Sequence, residues 1–219
     1  MTRFKICGLR DVSNALAAAE SGADFLGFNF VEGVRRRIQP TEGSEIIYNF
    51  RMAFDGYKMP KIVGLFANQD AEFINSVIHR CGLDYVQLCG DETPEFWHAL
   101  DAPVIRQVKV REELPRAEAV SNASRHVAEA LDAGHMALLD KHKRGALGGT
   151  GIIFDWEIAR EVALDYPVMV AGGLDPQNVA QAIEIAAPWG VDVSSGVETD
   201  GVKDAAKIKA FAAAVLCAE

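Results

Sequence analysis

Two residues that could exchange protons with a substrate follow apolar segments lying far apart in the chain. Cys7 ends the segment Phe4–Cys7, and Asp140 directly follows the apolar run Met136–Leu139. A thiolate can take a proton and a carboxylic acid can donate one, so a substrate held between these residues could lose and gain protons. Each residue also has an ordinary structural interpretation, because a lone cysteine often packs as a small apolar side chain and an aspartate often caps a turn.

Cysteine acts as a base only as its thiolate, which requires nearby positive charge to lower the pKa of the thiol. Lys5, Lys109 and Arg36 are the candidates for that charge. Arg36 belongs to the run Arg35–Arg37, which follows the second predicted strand. Such a run can be a solvated surface, or one arginine can bind a substrate carboxylate through two parallel hydrogen bonds.

Small residues after three predicted strands indicate an anion site. Gly172 and Gly173 follow the seventh strand, Ser195 and Gly196 lie at the end of the eighth, and Gly149 lies in the glycine-rich segment after Asp140. Such residues leave backbone N–H groups accessible, and in many α/β barrels the loops after the last two strands bind phosphate. Glycines that only permit turns would give the same pattern.

The segments that must position these residues alternate between strands and helices. A Gly-x-Asp junction directly ahead of a predicted strand occurs three times, at Gly22–Asp24, Gly82–Asp84 and Gly190–Asp192. Such repetition indicates repeated αβ units. The predicted strands are Phe4–Cys7, Phe25–Phe30, Ile62–Phe66, Tyr85–Leu88, Val104–Val108, Met136–Leu139, Pro167–Ala171 and Val193–Ser195.

Eight strands at roughly 27 residues per unit predict an α/β fold, a (β/α)8 TIM barrel, with residues 1–219 forming a single domain. The alternative is an open doubly wound sheet, which usually carries a nucleotide-binding glycine motif after its first strand. The first strand here is instead followed by Gly8-Leu9-Arg10. In a barrel the carboxyl ends of all strands converge on one mouth, which would bring Cys7 and Asp140 to the same opening.

Start signals place several helices between these strands. Asp11, Asp155 and Asp204 are predicted to begin helices, and Asp175 followed by Pro176 predicts another that runs to Ile185. Residues 111–134 are predicted to form two helices separated by a turn at 121–124, and residues 141–147 to form a flexible flap.

Composition restricts the class of partner. The 219 residues carry a net charge of −9, which argues against a general nucleic-acid surface but permits a local basic pocket for an anionic small molecule. No apolar run is long enough to span a membrane, and the apolar part of the N-terminus is too short for a signal peptide. The cysteines Cys7, Cys81, Cys89 and Cys217 show no metal-ligand spacing and predict free thiols in the cytoplasm. No cofactor motif occurs, so neither a cofactor nor a metal ion is expected.

The ordered set of motifs resembles the phosphoribosylanthranilate isomerase family of tryptophan biosynthesis, whose members are (β/α)8 barrels. The motifs that carry this resemblance are Lys5–Leu9, Gly27–Phe30, Val63–Asn68, Val86–Leu88 with Gly90–Glu92, Leu138–Asp140, Gly148–Gly151 with Phe154–Trp156, Ala171–Leu174 and Val193–Glu198. Each piece is short, but the set spans nearly the whole chain.

The resemblance implies an isomerase that converts N-(5-phosphoribosyl)anthranilate to 1-(2-carboxyphenylamino)-1-deoxyribulose 5-phosphate by an Amadori rearrangement. Asp140 would protonate the ribose ring oxygen, and Cys7 would then remove the proton from C2. Arg36 would hold the anthranilate carboxylate. The loops at Gly172-Gly173 and Ser195-Gly196 would hold the phosphate, with Gly149 nearby. The expected protein is a cytoplasmic monomer or homodimer that binds a small phosphosugar and needs no cofactor.

Two positions depart from the family's pattern. Cys89 stands where the family usually has a histidine, and Val34-Arg35 stands where Ser-Pro usually precedes the arginine. Both departures concern the end of the pocket that would receive the aromatic ring. They leave open a paralogous barrel that isomerises a different phosphorylated sugar, or binds one without turning it over.

Overall fold

A computed structural model describes residues 1–111, 113–141 and 155–218. Eight parallel strands close into a barrel in chain order, and the eighth strand pairs with the first. The predicted (β/α)8 barrel is therefore confirmed, and the open doubly wound sheet is excluded. The strands are β1 Arg3–Cys7, β2 Phe25–Asn29, β3 Lys61–Phe66, β4 Tyr85–Leu88, β5 Val104–Val110, β6 Met136–Lys141, β7 Val168–Val170 and β8 Gly190–Val193.

Helices follow the strands and cover the outside of the barrel. They are α1 Val12–Glu20, α2 Pro40–Ala53, α3 Ala71–Cys81, α4 Pro94–Trp97, α5 Arg116–Asp132, α6 Trp156–Ala163, α7 Val179–Ala186 and α8 Ala205–Cys217. After β8 come a 3-10 helix, Ser195–Val197, and a short hairpin of β9 Glu198–Thr199 and β10 Val202–Lys203. No helix among the described residues is long and apolar enough to cross a membrane.

Side chains alternate in direction along each strand, so the buried ones belong to two separate cores. In β1, Phe4 and Ile6 belong to the large core between the barrel and its helices, whereas Cys7 belongs to a smaller core inside the barrel. Successive side chains of a strand point to opposite faces, so Lys5 shares the inner face with Cys7. Polar chemistry inside the barrel is therefore carried by alternate residues of otherwise apolar strands.

Aspartate caps begin three helices as predicted. The carboxylate of Asp11 accepts a hydrogen bond from the backbone N–H of Asn14, and Asp155 and Asp204 accept from the first turns of α6 and α8. These side chains satisfy amides that have no partner inside the helix. The described residues stop at Lys141 and resume at Asp155, so the predicted flap and the glycine-rich segment that follows it lie outside them, apart from Lys141 itself.

The predicted start of α7 is wrong. The helix begins at Val179, three residues after Pro176. Oδ1 of Asp175 accepts hydrogen bonds from the backbone amides of Gln177, at 2.7 Å, and Asn178, at 3.0 Å. Asp175 therefore closes a turn that precedes the helix instead of capping the helix itself.

The predicted break between residues 121 and 124 is also wrong, because α5 runs without interruption from Arg116 to Asp132. Ala119, Ala123, Val127 and Ala130 are buried and follow one another at helical spacing. Packing of this stripe against the barrel outweighs the weak helix propensity of the serine and asparagine residues between them.

The third Gly-x-Asp junction was predicted to precede a strand, but Gly190–Asp192 lies within β8 itself. Asp24 precedes β2 and Asp84 precedes β4, as predicted. Asp24 accepts a hydrogen bond from the backbone N–H of Phe4 in β1, and Asp84 accepts one from that of Ile62 in β3. Asp192 instead lies within β8, where its side chain faces the barrel interior and bonds to Lys5.

Candidate active site

Cys7 and Asp140 open into one cleft at the carboxyl end of the barrel. Cys7 is the last residue of β1, and Asp140 lies within β6, which extends to Lys141 and is thus longer than predicted. The cleft therefore draws its walls from strands on different sides of the barrel. Its lining residues are Cys7, Asn29, Val34, Arg36, Leu65, Gln87, Cys89, Gln107, Asp140, Asp192 and Ser194.

The Asp140 carboxyl group is fixed through both of its oxygens. Oδ1 accepts the backbone N–H of Lys141 at 2.8 Å, and Oδ2 accepts Nε2 of Gln107 at 2.6 Å. Burial raises the pKa of Asp140 to about 6, an effect that the nearby Asp192 carboxylate increases and that the two hydrogen bonds partly oppose. Near neutral pH this carboxyl group therefore carries a proton much more often than an exposed aspartate does.

Cys7 lies beside Lys5 on the inner face of β1, and Gly27 on the neighbouring strand leaves room for both side chains. A Cβ atom at Gly27 would lie 3.2 Å from Sγ of Cys7 and 3.2 Å from Cε of Lys5. Burial raises the pKa of the Cys7 thiol, and the ammonium of Lys5 opposes this rise. Desolvation is the larger effect, so the ligand-free protein holds Cys7 mainly as the neutral thiol.

Lys5 is completely buried and is paired with Asp192. Its Nζ lies 2.8 Å from Oδ1 of Asp192 on the adjacent strand. Burial alone would lower the pKa of Lys5, but the Asp192 carboxylate and Cys7 raise it above its usual value. Of the three cations expected near Cys7, Lys5 and Arg36 interact with the cysteine electrostatically, whereas Nζ of Lys109 is 4.0 Å from Asp91 at the rim.

Arg36 reaches the cleft with its guanidinium held by Glu198. Nε of Arg36 donates to Oε1 of Glu198 at 2.6 Å, and Nη2 donates to Oε2 at 2.9 Å. Arg35 and Lys203 bind the same carboxylate, at 2.7 Å and 2.9 Å. Burial alone would raise the pKa of Glu198, but these cations, Arg36 first, lower it to about 2. Arg36 is thus presented by a carboxylate that stays ionised over the physiological pH range.

The loops after β7 and β8 touch each other. Gly172 and Gly173 have φ values of 92° and 70°, which a residue with a side chain rarely adopts. A Cβ atom at Gly196 would collide with the carbonyl oxygen of Leu174, so the eighth loop packs directly on the seventh. Ser195 and Gly196 begin the 3-10 helix, whose first amides have no acceptor within that helix. Gly149, predicted to lie beside these loops, is outside the described residues.

Cys89 is buried in the wall of the cleft. Burial raises the pKa of its thiol to about 12, and Nε2 of Gln87 lies 3.5 Å from its sulfur. At neutral pH this residue is therefore an uncharged, weakly polar part of the wall. It does not offer the ionisable ring that a histidine would offer there.

The sequence assigns no role to three residues that build the site. Gln107 falls within a predicted strand and Asp192 at a predicted strand entry, and both line the cleft. Glu198, which holds Arg36, falls within a loop motif. For Gln107 and Asp192 the available signal was a polar residue at the inward position of an apolar strand. No group of three or more His, Cys, Asp or Glu side chains that could hold a metal ion occurs within residues 1–111, 113–141 and 155–218.

Comparison with known proteins agrees with this geometry. The family model described as N-(5'phosphoribosyl)anthranilate (PRA) isomerase matches residues 4–214. A relative from Dehalococcoides mccartyi named N-(5'-phosphoribosyl)anthranilate isomerase is 46% identical over 211 residues, covering 96% of this chain and 94% of the relative. One from Roseiflexus sp., with the same name, is 41% identical over 221 residues, covering 100% and 99%.

Solved structures give the same result. A phosphoribosyl anthranilate isomerase in complex with reduced 1-(o-carboxyphenylamino)-1-deoxyribulose 5-phosphate superposes with a TM-score of 0.80 at 31% identity, covering 99% of this chain and 100% of that chain. The enzyme from Thermus thermophilus superposes with a TM-score of 0.79 at 29% identity and complete coverage of both chains, 100% each. The chain belongs to the N-(5'-phosphoribosyl)anthranilate isomerase family.

Proposed function

We propose that this protein converts N-(5'-phosphoribosyl)anthranilate to 1-(2-carboxyphenylamino)-1-deoxyribulose 5-phosphate, an Amadori rearrangement of tryptophan biosynthesis. The observation that carries the proposal is that a thiol, Cys7, and a carboxyl group with a raised pKa, Asp140, face one cleft in a member of this isomerase family. The reaction needs one group to give a proton and another to take one.

Asp140 is the proposed acid. It gives its proton to the ribose ring oxygen as the bond between that oxygen and C1 breaks, which leaves an open-chain Schiff base. A pKa of about 6 suits this role, because an acid works best when its pKa is near the working pH. The hydrogen bonds from Gln107 and Lys141 keep the group in one orientation.

Cys7 is the proposed base. It removes the proton from C2 of the Schiff base, and the resulting enolamine tautomerises to the ketone product. The thiolate that this step uses is the minor form in the ligand-free protein, because burial raises the pKa of the thiol. The ammonium of Lys5 stabilises the thiolate when it forms.

The two ends of the substrate are assigned to different loops. Arg36, oriented by Glu198, binds the anthranilate carboxylate. The amides of Gly172, Gly173, Ser195 and Gly196, with Gly149 from the segment outside the described residues, bind the phosphate. Adjacent loops rich in accessible N–H groups are the usual phosphate site of such barrels.

The remaining features of the proposal follow from this chemistry. The steps open the ribose ring and exchange protons between the substrate and two side chains, with no net oxidation or reduction, so the reaction calls for neither a metal nor an organic cofactor. We expect residues 1–219 to act as one domain, in the cytoplasm, as a monomer or homodimer. The expected partner is the phosphosugar and not nucleic acid, in keeping with the net charge of −9.

Turnover of freshly prepared N-(5'-phosphoribosyl)anthranilate by the purified protein tests the proposed function. Loss of substrate fluorescence reports the reaction, and other aminated sugar phosphates serve as comparison substrates. The proposal expects N-(5'-phosphoribosyl)anthranilate to give the highest kcat/KM. Turnover of only a different phosphosugar would instead support a paralogous enzyme, and absence of any turnover would contradict the assignment.

A further inference from the structure

Most polar side chains in the cleft have partners within the protein. The hydrogen-bonded pairs are Asn29 with the amide of Val31, Arg36 with Glu198, Asp140 with Gln107 and Lys141, Asp192 with Lys5, and Ser194 with the carbonyl of Cys7. Two side-chain oxygens in the cleft residues lack such a partner. The side-chain oxygens Oε1 of Gln87 and Oε1 of Gln107 receive no hydrogen bond from any described residue.

Both glutamines are almost completely buried, with 3% and 5% of their surface exposed. They lie on the neighbouring strands β4 and β5, where Gln87 is in register with Ile105, two residues before Gln107. Their amide nitrogens point to protein atoms: Nε2 of Gln107 donates to Asp140 and Nε2 of Gln87 to the sulfur of Cys89. The two oxygens are thus buried acceptors without a donor, and both belong to residues that line the cleft. Buried acceptors without a donor are rare in proteins, which indicates that a bound molecule supplies the donors.

We propose that Gln87 and Gln107 bind the ribose of the substrate, their side-chain oxygens accepting hydrogen bonds from the C2 and C3 hydroxyl groups. This inference rests on the proposed function, because it takes its donors from that substrate. The phosphate and the carboxylate are acceptors when ionised and cannot supply them. The amine N–H lies next to the ortho carboxylate of the aromatic ring and can bond to it internally. The two hydroxyl groups are then the donors that need protein acceptors.

The position of Cys7 decides which glutamine binds which hydroxyl. Cys7 must reach the proton on C2, and Gln87 is bonded to Cys89, which interacts electrostatically with Cys7. Gln87 therefore accepts from the C2 hydroxyl. Gln107, which is bonded to Asp140, accepts from the remaining hydroxyl, at C3. In this arrangement Gln107 both orients the acid and holds the sugar ring that the acid opens.

A cycle of protein and substrate changes tests Gln107. The 3-deoxy form of N-(5'-phosphoribosyl)anthranilate keeps every group that the rearrangement needs and lacks only the C3 hydroxyl. The wild type is expected to show about tenfold lower kcat/KM for it. In Gln107→Met, loss of the donor to Asp140 lowers turnover of both substrates alike and leaves their ratio unchanged. Loss of the acceptor for the C3 hydroxyl removes the preference itself, so the ratio between the two should fall to about one.

Gln87→Met is the matched control, since it removes the other glutamine and should keep the wild-type ratio. A Gln107→Met ratio as large as that of the wild type would overturn the assignment, as would a wild type that does not distinguish the two substrates. Gln107→Leu replaces Gln107→Met if the latter does not fold, as judged from its thermal unfolding.

Binding measurements test Gln87 and separate this inference from the proposed function. The reduced product analogue and its 2-deoxy form are titrated into the wild type, Gln87→Met and Gln87→Glu. Wild type and Gln87→Glu, which keep an acceptor, should prefer the hydroxylated form about tenfold, and Gln87→Met should show no preference. An equal preference in all three would contradict the inference. The titrations need no turnover, so an inactive wild type would refute the proposed function while these ratios still decide the roles of the glutamines.

Discussion

The ammonium of Lys5 lies 2.8 Å from Oδ1 of Asp192 inside the barrel, where Lys5 has no exposed surface. Lys5 is also beside Cys7, whose thiolate it favours, whereas the Asp192 carboxylate raises the pKa of Asp140. The positive member of this buried pair thus supports the proposed base, and the negative member supports the proposed acid.

Opposite effects of the two partners on Cys7 test this relationship. Lys5→Met should raise the pKa of the thiol and slow alkylation of Cys7 by iodoacetamide near neutral pH by about tenfold, whereas Asp192→Asn should speed it. A Cys217→Ser background removes the exposed thiol, and peptide mass spectrometry then distinguishes alkylation of Cys7 from that of the other buried thiols, Cys81 and Cys89. A merely structural pair would change both rates in the same direction, so that result would count against the electrostatic role.

The pH dependence of kcat/KM should be bell-shaped. Below about pH 6 Asp140 and Cys7 both hold protons and the base is missing, and at high pH neither holds one and the acid is missing. The activity should therefore rise through about pH 6 and fall only at a pH above the usual range of a thiol, because burial raises the pKa of Cys7. Since the groups interact, the two limbs belong to the pair. A rate that is constant between about pH 4.5 and 7 would argue against Asp140 as one of the titrating groups.

Asp140→Asn should stabilise the protein near neutral pH. The pKa of Asp140 is about 6 in the folded chain, against 3.8 for an aspartate in the unfolded chain. Ionising Asp140 at pH 7 therefore costs up to about 3 kcal/mol of stability. This loss is complete above pH 6 and absent below the unfolded pKa, so the advantage of Asp140→Asn should disappear near pH 3.8. Urea unfolding at both pH values measures it, with the exposed Asp132→Asn as control. An equal effect of Asp140→Asn at both values would refute this account.

Arg36 and Arg35 offer a matched comparison, because both bind Glu198 but the Arg35 side chain is 58% exposed and only Arg36 lines the cleft. Arg36→Met should raise KM for N-(5'-phosphoribosyl)anthranilate by at least about tenfold, since it removes a charged hydrogen-bond partner. In the substrate analogue with aniline in place of anthranilate the carboxylate is missing, so KM for this analogue should change little in Arg36→Met. Arg35→Met should behave as the wild type, and an equal rise of KM for both substrates in Arg36→Met would exclude a carboxylate contact.

The barrel could be predicted from the sequence because its strands are short apolar segments at regular intervals. That regularity also placed Cys7 and Asp140 at one mouth, since the strand ends of a barrel converge. The inward polar side chains were harder to interpret. Asp192 shows its partner only when β8 closes against β1, and the bond between Gln107 and Asp140 likewise crosses between strands.

Predictions from local sequence patterns were wrong at two helices, where packing or turn hydrogen bonds determine the structure. The polar residues between 121 and 124 suggested a break, but the buried stripe of α5 keeps the helix continuous. Asp175 and Pro176 form the sequence pattern of a helix start, yet Asp175 closes a turn ahead of Val179. Sequence spacing predicted the eight barrel strands correctly, but it predicted two helices in place of α5 and was less accurate at the ends of elements.

The central claim is that Cys7 and Asp140 carry the proton transfers, and the most direct test is single-turnover kinetics of Cys7→Ala and Asp140→Asn with N-(5'-phosphoribosyl)anthranilate. Each variant should react about 10²- to 10⁴-fold more slowly than the wild type and still bind the reduced product analogue, while Cys217→Ser and Asp132→Asn react normally. Turnover within a few-fold of the wild type in either variant would contradict the account.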